Sequence, residues 1–98
     1  MSAIQLDNGC LKVSGILDFE SVVSIWQNSL PLMASCSALQ FDFSGITFTK
    51  SAGLALIIEW KKWAHLHNKS IVFNHVPAQL ISIAEVSGVD LSSSSLRA

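Results

Sequence analysis

The chain has 98 residues, of which 50% are hydrophobic and 13% are charged, and its formal net charge is −1. This is the length of one domain, and the apolar content supports a packed core and argues against disorder. A net charge so close to zero provides no electrostatic attraction for nucleic acid or anionic lipid, so neither is an expected partner.

No segment of the sequence indicates secretion or insertion into a membrane. Met1 to Leu6 lacks the basic region and apolar run of a signal peptide. The longest apolar stretch, Ala52 to Ile58, is far shorter than the roughly 20 residues that cross a bilayer. Cys10 and Cys36 are too few for a disulfide framework. We therefore expect a cytoplasmic protein.

The first third of the chain predicts a hairpin followed by a helix. Asn8-Gly9 lies between two apolar stretches, and this pair tolerates the positive φ angles of a tight turn. Gly15 is expected to break the second strand. From Phe19, apolar residues recur with the spacing of an amphipathic helix. Asp18 is its expected N-cap, and Pro31 should not continue it.

The remaining sequence predicts two further strands, two helices and a tail. Their predicted positions are a strand at 38–43, a loop at 44–50, a helix at 52–67, a strand at 70–74, a helix between Pro77 and Gly88, and a frayed tail at 91–98. The predicted order is therefore β-β-α-β-α-β-α. This order predicts a single α/β domain spanning residues 1–98, with a small mixed sheet and helices packed against it.

Chemical motifs are sparse. His65 and His67 are two apart on a helix, about 200° around its axis, so they cannot share a ligand. No zinc-ligand spacing, nucleophile motif or glycine-rich phosphate loop is present in the sequence. We expect no enzymatic activity, no cofactor and no metal site.

The informative segment joins a strand to the longest helix, from Asp42 to Leu54. Ser51 has the side chain of an N-cap and stands where the helix should begin. Gly53 costs about 1 kcal/mol of helix propensity relative to Ala, which calls for a compensating close approach of the sheet or of a partner. From the residues alone, Ser51 could serve as a cap only.

At these positions the sequence resembles the STAS family, whose loop pattern matches Asp42, Ser51, Gly53 and Leu54. The resemblance extends upstream to residues 13–18, which are similar to a family strand ending in Gly-x-Leu-Asp. It implies the STAS fold and a non-catalytic domain that binds a partner protein. In STAS proteins that switch by phosphorylation, it would make Ser51 the phosphate acceptor.

Lys50 departs from the family pattern, which usually has an acidic residue directly before the Ser or Thr. A cation at this position changes the local charge and removes an element of recognition. The departure argues against phosphorylation of Ser51 and is compatible with a retained docking surface.

The sequence resembles two branches of the family, and each branch implies a different partner protein. Trp26, eight residues after Asp18, and the opening of the long helix resemble the small STAS subunit of the Mla phospholipid-transport ABC complex. This branch implies docking on a cytoplasmic ABC ATPase, a position peripheral to the inner membrane, and a role in outer-membrane lipid asymmetry. The alternative is an anti-sigma factor antagonist that binds an anti-sigma kinase in a phosphorylation-controlled partner switch.

The long helix carries apolar residues on both sides of its expected core stripe. At 100° per residue, Leu54 and Ile58 fall beside the stripe, so they predict a partner contact unless neighbouring helices cover them. The predicted partner-binding residues are Thr49, Lys50, Ser51, Ala52, Leu54, Ala55 and Ile58.

Overall fold

The computed structural model describes residues 2–89, so the tail predicted at 91–98 lies outside the described residues. Its elements follow the predicted order β-β-α-β-α-β-α. They are β1 (Ala3–Asp7), β2 (Cys10–Leu17), α1 (Phe19–Ala34), β3 (Leu39–Thr49), α2 (Ser51–Leu66), β4 (Ile71–Asn74) and α3 (Ala78–Ser87).

The strands form one sheet in the order β1-β2-β3-β4. β1 pairs with β2 antiparallel, whereas β2 with β3 and β3 with β4 are parallel. The two parallel pairs are joined through α1 and α2, because parallel neighbours need a crossover. The predicted α/β fold with a mixed sheet is confirmed.

The turn between β1 and β2 is the predicted one. Asn8 and Gly9 have φ angles of 51° and 77°. Two left-handed residues in a two-residue loop match the twist of the flanking strands. The turn brings Asp7 opposite Cys10 and sets the register of the hairpin.

Two strands continue beyond their predicted ends. β2 runs through Gly15, whose φ is 95°, and β3 occupies most of the loop predicted at 44–50. The register between these strands shifts twice, between Lys12 and Ser14 and between Gly15 and Ile16. A bulge breaks the alternation of inward and outward side chains. The strand prediction depends on that alternation, so it ends where the bulges begin.

Asp18 caps α1 as predicted. Its carboxylate accepts from the backbone N–H groups of Glu20 and Ser21, and the Ser21 hydroxyl accepts from the backbone N–H of Asp18. The end of α1 was predicted wrongly, since Pro31 lies inside the helix. Pro31 lies near the C-terminus of α1 and is exposed, so water can reach the carbonyl that loses its partner.

The core contains buried residues from β2, β3, β4 and all three helices. Trp60 is fully buried, and its ring stacks on Phe41 with centroids 4.2 Å apart. Its indole N–H donates to the hydroxyl of buried Ser29 at 3.0 Å, and that hydroxyl donates to the Trp26 carbonyl. α1 is thereby joined to the aromatic centre by hydrogen bonds as well as by packing.

None of the helices within residues 2–89 is both long enough and apolar enough to cross a membrane.

Candidate functional site

The strand-to-helix junction places Ser51 on the surface. Lys50 occupies the N-cap position without a side-chain hydrogen bond, and Ser51 is the first residue of α2. The prediction that Ser51 caps the helix is therefore wrong. Backbone bonds secure the junction: the Lys50 N–H donates to the Leu17 carbonyl and the Gly53 N–H donates to the Lys50 carbonyl, both at 2.9 Å.

Gly53 allows α2 to begin close against the sheet. A Cβ at this position would overlap the Thr49 hydroxyl oxygen and would lie 3.2 Å from a methyl group of Leu17. These neighbours belong to the ends of β3 and β2, so the close approach predicted for Gly53 is to the sheet. The position of Ser51 is thus set by packing beneath it, which compensates for the low helix propensity of glycine.

Several predicted partner-binding residues lie inside the domain. Thr49, Ala52 and Leu54 are 0%, 2% and 6% exposed, so their side chains cannot form the predicted surface. Ile58 is half-buried and packs against the core cluster. The helical wheel misplaced Leu54 and Ile58 because it could not show that α3 packs against α2.

The exposed members of the predicted set are Lys50, Ser51 and Ala55. Ser51, Ala55 and Glu59 are four residues apart, so they form one stripe along α2. Lys50 lies near the N-cap carboxylate of Asp18. The Ser21 N–H lowers the pKa of Asp18 most, with smaller contributions from the Ser21 hydroxyl, the Glu20 N–H and the charge of Lys50.

A groove between α1 and α2 adjoins this stripe and was not predicted. It has a volume of about 220 Å³ and lies beside the exposed side of the stripe. We call it the interhelical groove, and its lining residues are Val22, Val23, Trp26, Ala55, Leu56 and Glu59.

The surface of α1 beside the interhelical groove is unusually apolar. Phe19 is 73% exposed and Val23 is 57% exposed, and they lie four residues apart on α1. Ile16 and Phe48, which face each other at the ends of β2 and β3, are also exposed. Phe19 and Val23 thus extend the apolar surface beside the groove, and exposed apolar neighbours of this kind mark a candidate interaction surface.

Sequence reasoning missed this region because it assigned the apolar stripe beginning at Phe19 to the core. Val22, Trp26 and Leu30 do pack against the core, but Phe19 and Val23 of the same stripe are exposed. The fully buried residues of α1 are Ile25, Ser29 and Met33. The only available signal was the width of the apolar stripe, since adjacent Val22 and Val23 cannot both point inward.

The most developed polar cluster lies elsewhere, at the end of β4. The imidazole of His75 pairs with the Asp42 carboxylate at 3.1 Å, and the Ser44 N–H donates to the same carboxylate at 2.9 Å. The Ser44 N–H lowers the pKa of Asp42 most, with further contributions from the Ser44 hydroxyl and His75. The Ser44 N–H and the His75 imidazole thus both bond to the Asp42 carboxylate, which ties β3 to the residue that follows β4.

The remaining titratable groups offer no metal site. Within residues 2–89, no three His, Cys, Asp or Glu side chains are placed to share an ion. Cys10 and Cys36 are both free. Burial raises the pKa of the Cys10 thiol, and the charge of Asp42 raises it further, so a reactive thiolate is disfavoured there.

The fold and the junction between β3 and α2 together indicate the family to which the chain belongs. A family model described as Mlab, STAS domain, matches residues 2–96. The chain therefore belongs to the STAS domain family, as its sequence motif indicated. No curated protein gives a significant match.

Two solved structures show the same fold. The anti-sigma factor antagonist SpoIIAA in its unphosphorylated form is 11% identical, with a TM-score of 0.65 over 87% of this chain and 82% of that one. A variant of RsbS from Moorella thermoacetica is 20% identical, with a TM-score of 0.65 over 90% of this chain and 78% of that one. At such low identity the similarity shows the fold alone.

Proposed function

We propose that this chain is a non-catalytic docking protein that binds a partner protein through the surface around Ser51. One observation carries the proposal: Ser51 is exposed at the start of α2, on the same stripe as Ala55 and beside the interhelical groove. The junction beneath it is held by backbone hydrogen bonds and by the packing of Gly53. A rigid platform with adjoining apolar surface is suited to protein recognition.

The favoured partner is an anti-sigma kinase, which would make the chain a cytoplasmic anti-sigma factor antagonist. The fold similarity to SpoIIAA supports this reading, because that protein is described as such an antagonist and as having an unphosphorylated form. A phosphate on Ser51 would lie at the N-terminus of α2, where the free N–H groups and Lys50 favour negative charge. It would therefore change the charge of the surface without unfolding the helix.

A second candidate partner is the ABC ATPase of an Mla-type phospholipid transporter. The description of the matching family model names this branch, and Lys50 takes the position that is usually acidic in the family. The chain would then be an accessory subunit, peripheral to the inner membrane through its partner. Ser51 would be an interface residue with no need of modification.

Affinity purification with identification by mass spectrometry tests the docking surface and separates the two partners. We expect wild-type protein and Ser51→Ala to recover the same partner, since Ala removes only a small hydroxyl. Ser51→Glu places a charge in the interface and should lower recovery by about tenfold or more. A histidine-kinase-like protein and phosphoserine at position 51 support the first candidate, and an ABC ATPase supports the second. Undiminished recovery by Ser51→Glu would contradict the proposed surface.

A further inference from the structure

The interhelical groove has the form of a receptor for one side chain of a partner helix. Its lining is apolar except for Glu59, and its volume of about 220 Å³ accommodates a large aliphatic or aromatic group. Trp26 forms one wall, and its carbonyl accepts from buried Ser29, which also holds the indole of Trp60. The Trp26 side chain is itself partly buried and packs against the core cluster, so this wall of the groove is preformed for binding.

Charge around the groove indicates what should surround that side chain. Glu59 is the only charged residue that lines it. Glu59 pairs with Lys62 at 3.5 Å, but both side chains are more than half exposed. Exposed pairs of this kind contribute little, so an incoming cation can replace Lys62 at small cost.

From these observations we infer that the interhelical groove binds an amphipathic helix of the partner protein, which inserts one apolar side chain and places a Lys or Arg against Glu59. Helix-in-groove recognition places the apolar face of an amphipathic helix in a groove of this kind. The carboxylate of Glu59 at the edge of the groove attracts a cation. The inference rests on the proposed function and deepens it, because Ser51 and Ala55 lie on one stripe of α2. Phe19 and Val23 extend the apolar contact along α1.

Selection from a displayed library of amphipathic helical peptides tests this inference on the isolated chain. We expect selected peptides to carry one large apolar anchor with a Lys or Arg within one helical turn. Ala55→Trp fills the groove and should weaken their binding by about tenfold or more, as the loss of an interface anchor does. Leu66→Trp is the matched control, because Leu66 is also an exposed apolar residue of α2. It should bind as wild type.

A charge reversal provides a second variant that does not depend on the fold tolerating a new Trp. Glu59→Lys changes an exposed side chain and should select peptides with Asp or Glu beside the anchor. Failure to enrich any peptide, enrichment of acidic peptides by wild type, or binding unaffected by Ala55→Trp would each overturn the inference. So would self-association of the chain that Ala55→Trp abolishes, since the occupant would then be a second copy.

The affinity purification described above shows whether the groove alone is wrong or whether the whole docking surface is wrong. If Ser51→Glu loses the partner and Ala55→Trp retains it, docking stands and the groove does not. If both variants retain the partner, the docking surface itself is wrong.

Discussion

Ser29 lies fully buried on α1, where its hydroxyl accepts from the Trp60 indole and donates to the Trp26 carbonyl. Ser29→Ala would leave the buried indole N–H without its partner, which costs about 1–3 kcal/mol. We expect that loss in the free energy of unfolding, measured by urea denaturation. Ser24→Ala changes an exposed serine of the same helix and should stay within about 0.5 kcal/mol of wild type. Equal stability of the two variants would contradict the role of Ser29.

Asp42 makes stability depend on pH at the acid end. Its pKa is lowered, first by the Ser44 N–H and then by the Ser44 hydroxyl and His75. A lowered pKa in the folded state gives stabilisation that is complete above the unfolded-state pKa of about 3.9 and disappears as the pH falls through the folded-state pKa. The direction of the effect is therefore a loss of stability on acidification.

Asp42→Asn isolates this contribution. We expect the variant to melt below wild type at neutral pH, with the difference shrinking as the pH drops below about 4. Thermal melts followed by circular dichroism between neutral and acidic pH would measure it. A difference that stays constant over this range would show that the Asp42 carboxylate does not contribute through its charge.

Among the elements, α2 contains the two residues, Leu54 and Ile58, that were predicted to face a partner. Their burial in the structure determines how much each contributes to the free energy of unfolding. Leu54 is 6% exposed and belongs to the core, whereas Ile58 is half-buried at its margin. Leu54→Ala should therefore cost about 2–5 kcal/mol, and Ile58→Ala should cost less. Leu66→Ala is the exposed control and should stay within about 0.5 kcal/mol of wild type. Denaturant melts of the three variants give the order, and an Ile58→Ala loss equal to that of Leu54→Ala would contradict it.

The element order and the hairpin turn could be predicted because their signals are local. The Asn8-Gly9 pair specifies its own turn, and Asp18 carries the cap of α1 in its side chain. The full length of β3 could not be predicted, because its bulges depend on pairing with β2. The burial of Leu54 likewise depends on tertiary packing and not on its neighbours in sequence.

The candidate site could likewise be predicted only in part. The motif identified the position of Ser51 and the tight packing at Gly53, since both depend on residue type at one strand–helix junction. The interhelical groove could not be read from the chain, because its two walls are separated in sequence and meet only when α1 and α2 pack together. Sequence therefore located the centre of the proposed surface, and the fold supplied its apolar half.

At the scale of the whole molecule, the arrangement separates stability from recognition. The buried aromatic group of Phe41, Phe43 and Trp60 lies in the interior. The exposed apolar residues of α1 and the Ser51 stripe lie outside it. Substitutions on the outer surface should consequently alter binding while leaving the melting temperature nearly unchanged, as required of the variants proposed above.

The register shifts of β3 also bear on solubility. The pairing of β3 with β4 ends at Asp42, so within the described chain residues 43–49 have no strand beside them on that side. Such a margin is a template on which strands of other molecules can add and start aggregates. Both irregularities with β2 fall within this stretch, and bulges spoil the even spacing that an added strand would need. The bulges that break the alternating sequence pattern of β3 thus also protect this strand against intermolecular sheet growth.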